Sequence, residues 1–252
     1  MARGKAWERR EQMLALELYC RTPFGRISQR NLEIISLASK LGRTPSSVSL
    51  KMANFSALDP TVKQKGMGNY SKSDAIIWEE FFHDPTAFLD NVAIFAANIK
   101  SYENDREFKS IFDDSNYEFR EGTDVPVVTT RRKHQDFFRN TLFSAYGGKC
   151  GVTQIDQPQL LVASHIKPWS KDERNRLNPR NGILLNALHD RAFDNGLISF
   201  KDDLDIMISP KLKLHEMARP FFEDKKLTAP EKFGPDPAFL EYHRNYCFKE
   251  TV

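Results

Sequence analysis

Cysteine is scarce in this sequence. Cys20, Cys150 and Cys247 are the only three in 252 residues; they are odd in number and far apart. That pattern excludes a disulfide framework, and without a Cys-x-x-Cys pair it also argues against a zinc knuckle. No stretch reaches the roughly 18 to 20 consecutive apolar residues of a membrane span, and the opening MARGKAWERREQ has no apolar segment of the kind a signal peptide needs. These absences predict a cytoplasmic protein with no membrane partner. Internal repeats and low-complexity tracts are missing too. The sequence does have core-forming side chains, 40% hydrophobic against 28% charged, at a length that suits two modest domains.

Net charge is also small, +3, but it conceals opposed blocks. Residues 1–72 hold 13 Lys/Arg against 5 Asp/Glu, and residues 73–122 hold 4 against 12. Residues 123–180 return to 10 against 5. Two separated basic regions fit two polyanion contacts, although each block is also what an ordinary solvated face looks like.

The first basic block reads as short helices. Met13, Leu14, Leu16, Leu18 and Tyr19 recur with a helical period, and Pro23 and Gly25 end the segment. Ser28 is placed to cap a second helix with a Leu32, Ile35, Ala38, Leu41 stripe, stopped by Gly42. Thr44 and Pro45 then launch a third, with Val48, Met52 and Phe55 facing inward. The string LASKLGRTPSSVSLKMANF resembles a helix-turn-helix. That resemblance implies a groove-reading face of Ser46, Ser47, Ser49, Lys51 and Asn54, with Arg43, Lys63 and Lys65 on phosphates; a plain three-helix bundle is the alternative. Asp84-Pro85 opens a further helix within the acidic block, which reads as scaffold. The domain boundary is placed near Thr123, giving a helical domain over 1–122 and a second domain over 123–252.

The second domain begins with the cations Arg131, Arg132 and Lys133 and an amphipathic helix stopped at Gly147-Gly148. Extended runs are expected at Cys150–Thr153 and Leu160–Ile166. A charged loop from Lys167 to Arg180, a strand from Asn181, a short helix through LNALHDRAFDNG and a strand at Leu197–Phe200 follow. The string CGVTQ…LLVASHIKPW…NPRNGILLNALHDRAFDNGLISF resembles the HNH endonuclease family, over about residues 131–209. The resemblance implies an α+β protein: a helical N-terminal domain followed by a ββα-metal nuclease domain that holds one divalent cation against a scissile phosphate. It matches His165 to the first-motif histidine, Asn181 to the central asparagine, and His189 with Asp190 to the third motif, Asp194 lying one turn further on.

The chemistry reads the same way from the residues. Phosphodiester hydrolysis needs an activated water, counter-charge for the transition state and help for the leaving oxygen. His165, with an ordinary pKa of about 6.5, can take a proton from water. Asp190 and Asp194, four apart on a helix, share a face that could hold Mg2+ or another hard ion. His189 points about 100° away, as a borderline ligand suited to Mn2+ or Ni2+ or as a phosphate contact. Asn181 before Gly182 also reads as a turn, and Asp194-Asn195-Gly196 as a helix end. Lys167, Lys171, Arg174, Arg176 and Arg180 would clamp phosphate, or in part form a solvated turn. Many HNH enzymes carry Asp or His where this chain has Ser164, so either the third-motif residues hold the metal with water and phosphate, or Asp156 reaches in. His215 and His243 have no ligand partners at recognisable spacing. The expected activity is metal-dependent cleavage of double-stranded DNA, of restriction or phage-defence type; one metal centre per chain cuts one strand at a time, so double-strand breaks would point to a homodimer. The alternatives are a non-catalytic DNA-binding regulator and a nuclease acting on RNA.

Overall fold

A computed structural model describes residues 5–62, 69–99, 129–212 and 216–250, with side chains in the helix after the second gap described from Gln135 onward. The chain divides into two compact units, Met1–Ser110 and Ile111–Val252. The boundary expected near Thr123 lies outside the described residues, as do Lys63, Lys65 and His215. The architecture is α+β, with helices throughout and two small antiparallel sheets in the second unit. Among the described residues no helix is long and apolar enough to cross a membrane.

The first unit is helical: α1 (Arg9–Arg21), α2 (Leu32–Leu41), α3 (Pro45–Ser56), α4 (Lys72–His83) and α5 (Pro85–Asn98). Its helix ends follow capping chemistry. Gly42 adopts φ 62° after α2, the Thr44 hydroxyl accepts from the Ser47 amide, and the Asp84 carboxylate accepts from the Ala87 amide. The start of α2 is the exception, because Asn31 rather than Ser28 caps it, accepting from the Glu33 and Ile34 amides. The apolar stripe shifts accordingly. Ile34, Leu37 and Ala38 are buried, whereas Leu32 and Ile35 are 63% and 39% exposed. Tyr19 on α1 centres the core, its ring 6.4 Å from Phe55 and 6.3 Å from Trp78.

The second unit opens with α6 (Thr129–Ala145), ended by Gly147 and Gly148 at φ 62° and 71°. Cys150–Thr153 is a turn rather than the expected strand: the Cys150 amide donates to the Ile155 carbonyl and Gln154 takes a positive φ of 61°. β1 (Leu161–His165) and β2 (Gly182–Asn186) pair antiparallel, with Ser164 opposite Ile183 and His165 opposite Gly182. α7 (Ala187–Asp194), β3 (Ile198–Phe200), β4 (Ile206–Ile208) and α8 (Pro237–Tyr246) complete the unit. Gly182 is required by proximity, since a Cβ there would come within 2.6 Å of Leu142 and 2.7 Å of Phe138 on α6. Glycine thus lets α6 lie directly on the hairpin.

Candidate active site

Strand alternation separates the last two residues of β1. Ser164 is buried and turns toward α7, where its hydroxyl donates to the Asp190 carboxylate. His165 turns toward α6. Its ring stacks on Phe138 with centroids 4.2 Å apart and planes 6° apart, and meets Trp169 edge-on at 5.3 Å. Nε2 lies 2.8 Å from the Arg176 carbonyl, which can only accept, so Nε2 carries the proton and Nδ1 keeps its lone pair. Burial pulls the imidazole pKa below its ordinary value, and the bond to Arg176 only partly offsets this. The resting ring is neutral and basic at Nδ1.

Asn181 shapes the loop beside it. The residue is buried; its side-chain oxygen accepts from the Lys167 amide at 2.8 Å, and its amide nitrogen donates to the carbonyls of Lys167 and Asn175, both at 3.2 Å. One side chain therefore ties the start of the charged loop to its end. These bonds perform the expected turn role. Within the loop Lys167 pairs with Asp172 at 2.9 Å, and Arg176 donates to the Trp169 carbonyl, covers the Trp169 ring at 5.0 Å and pairs with Glu173. These two cations brace the loop. Arg174 is exposed and Arg180 half-buried.

The acidic side of the site lies on α7, which Asn186 caps by accepting from the His189 amide at 3.0 Å. Burial raises the Asp190 carboxyl above the usual range. Asp194, one turn on and more open, is pushed up to about 6 by lost solvation and then by the Asp190 charge. The Asp190 charge thus disfavours ionisation of Asp194. Among the described residues no group of three or more His, Cys, Asp or Glu could hold a metal, so Asp156 does not join them.

The structure corrects three expected functional residues. His189 is fully buried, with Nδ1 3.1 Å from the Asn186 side-chain oxygen and Nε2 2.8 Å from the Phe221 carbonyl. Nε2 donates to Phe221 and the whole ring is enclosed, so it presents no open edge to a metal or phosphate. Lys51 is buried against Asp74, its ammonium 2.7 Å and 2.9 Å from the two carboxylate oxygens. Arg43 is drawn inward onto Glu11 at 2.6 Å, onto the Lys5 and Ala6 carbonyls and over the Trp7 ring. Neither cation faces a groove. Ser46 is exposed and Ser49 partly so on α3, while the side chains of Arg131, Arg132 and Lys133 lie outside the described residues. Sequence reasoning missed Phe138 and the Arg176 carbonyl as the frame of His165. The apolar face of α6 hinted at the first, but no residue type announces a backbone carbonyl.

A hairpin, a charged loop and a short helix carry the neutral His165 on the α6 side of β1 and the carboxylates Asp190 and Asp194 on α7. Residues 150–201, from the turn at Cys150 through β3, match the HNH endonuclease family model. No curated protein matches the chain.

Proposed function

We propose that this protein is a metal-dependent DNA endonuclease of restriction or phage-defence type, with the cleavage site in residues 123–252 and DNA-contacting surface also in residues 1–122. The observation that carries the reading is His165: a neutral imidazole held by Phe138 and the Arg176 carbonyl, with Nδ1 available, at the end of the strand whose preceding residue bonds Asp190. His165 takes the proton of the attacking water at Nδ1, and Asn181 keeps the loop that positions Arg176. Asp190 and Asp194, with Ser164, hold a divalent cation, Mg2+ or Mn2+ in preference to Ni2+ because the donors are all oxygen. When bound, it supplies counter-charge to the phosphate and to the leaving oxygen. Arg174 and Arg180, with Lys167 and Arg176 and the Arg131, Arg132, Lys133 cluster, supply positive charge along double-stranded DNA. Ser46 and Ser49 remain as outward contacts on α3.

Plasmid cleavage in Mg2+, Mn2+, Ni2+ or EDTA tests the reading. Nicked and linear products are expected with Mg2+ or Mn2+ and none with EDTA. His165→Ala is expected to lower the cleavage rate by about 10²–10⁴-fold while DNA affinity changes little. Wild-type rates from the alanine variant would remove His165 from the chemistry, and no cleavage with any metal would leave the DNA-binding regulator.

A further inference from the structure

The C-terminal end of α8 is fastened to the end of α7. The Lys249 amide donates to the Gly196 carbonyl at 2.9 Å, and a Cβ on Gly196 would stand 2.0 Å from the Cys247 carbonyl oxygen, so the two backbones touch. Gly196 lies two residues beyond Asp194, and Cys247 directly follows Tyr246. The Asp194 charge also reaches Cys247, adding to the burial that raises its thiol pKa. Tyr246, the residue before this contact, is 75% exposed. A single exposed aromatic means little. This one packs against Tyr242, with ring centroids 4.7 Å apart, and the Tyr242 ring carries the Lys167 ammonium 4.7 Å from its centre. Lys167 opens the catalytic loop, whose residues 167–180 hold five Lys/Arg against two Asp/Glu. A short aromatic ladder thus runs from the basic loop to the end of α8.

From this placement we infer that Tyr246 stacks on a nucleobase that has left its place in the duplex, or has no partner there, beside the phosphate to be cut. An open ring stacked on a second ring that carries a cation is the arrangement that holds unpaired nucleotides, because every base offers a π-face. A paired base inside a duplex shows only its edges, so the contact selects strand that is locally open. The choice of DNA as occupant rests on the nuclease reading above, and the positive loop supports it independently of cleavage.

The full chain, kept in EDTA so that no strand is cut, is titrated against two duplexes: one with a single unpaired 2-aminopurine, the other fully paired around the same base. Wild type is expected to quench the unpaired probe and to bind its duplex more tightly than the paired one. Tyr246→Ala is expected to weaken binding of the unpaired probe by about 5- to 150-fold, the usual range for one base–aromatic stack, and to abolish the quenching. Tyr246→Phe, which keeps the ring, preserves both. Equal quenching and affinity in Tyr246→Ala would overturn the inference, as would failure of wild type to bind either probe. A parallel reaction with Mg2+ keeps the two readings apart. Quenching through Tyr246 without any cleavage removes the nuclease and retains the contact, whereas cleavage with no dependence on Tyr246 in either assay does the reverse.

Discussion

Three histidines of the second unit are buried or nearly so, and the fate of their ring nitrogens separates their roles. His189 is fully enclosed and donates from Nε2 to the Phe221 carbonyl, His165 donates from Nε2 to the Arg176 carbonyl, and His243 donates from Nε2 to the Phe193 carbonyl while Nδ1 accepts from the Ser199 hydroxyl. His243 also stacks on Phe193 at 3.7 Å, and its pKa is lowered to about 4, chiefly by burial, with Arg244 adding to the effect and the Phe193 carbonyl opposing it. A lowered folded-state pKa means that the unfolded chain, near 6.5, takes up a proton first as pH falls. Stability is thus whole above about pH 6.5 and declines toward pH 4, by about 3 kcal/mol from this residue. Urea unfolding at pH 7, 5.5 and 4.5 should show a smaller decline in His243→Gln than in wild type; parallel declines would remove His243 as the sensor. The buried Lys51–Asp74 pair makes a second test in the first unit. Lys51→Met leaves the Asp74 carboxylate buried without its cation and is expected to cost about 3–5 kcal/mol in denaturant unfolding. DNA affinity measured on folded protein should stay near wild type, since the ammonium faces inward. These assignments were only partly legible in the sequence. That His189 lies about 100° from the Asp190 face follows from helical geometry, but that the Phe221 carbonyl takes its Nε2 proton depends on a segment 32 residues away. Lys51 lay within a basic block, and nothing local marks which lysine of such a block meets a distant aspartate.

At the scale of elements, the legible features were those whose cause is local. Gly42, Thr44-Pro45 and Asp84-Pro85 mark helix ends because caps and turns are decided within four residues. The α2 stripe was displaced because two i, i+3 series run through the same apolar helix, and only packing on α1 and α3 selects Ile34 and Leu37 over Leu32 and Ile35. Cys150–Thr153 has the composition of a strand, yet it turns, since its polar groups find partners in Ile155, Asn186 and Thr228 rather than in a ladder. Gly196 is the sharpest case. In sequence it reads as a helix stop, and its φ of 66° fits that reading, but the larger constraint is the Cys247 carbonyl pressed against it. Gly196→Ala asks for a left-handed backbone with a side chain and drives apart the ends of α7 and α8. A loss well above about 1 kcal/mol is expected, read as a lower thermal midpoint together with weaker cleavage, because Asp194 is two residues away. Gly25→Ala, where a Cβ meets nothing within 4 Å, should leave both unchanged.

At the scale of the molecule, the chain carries one matched HNH segment, residues 150–201, whose hairpin, loop and α7 all belong to one compact unit. One such site can attack one phosphodiester at a time. Duplex strands run antiparallel, so a second cut by the same chain requires release and rebinding in the opposite sense, while a second copy can attack the other strand directly. The order of products therefore reports the stoichiometry. With supercoiled plasmid and protein at sub-stoichiometric concentration, nicked circles should accumulate before linear DNA. The interval between the two should shorten as protein concentration rises if two copies cooperate, and stay proportional to single-hit kinetics if each chain acts alone. Linear product that appears at once, without a nicked intermediate at the lowest protein concentration, would mean that a preformed pair binds the DNA. Mixing wild type with His165→Ala sharpens the measurement. A pair containing one inert chain can only nick, so replacing part of the wild type by His165→Ala should lower the linear fraction more than omitting the same amount of wild type, whereas for independent chains the two give the same loss.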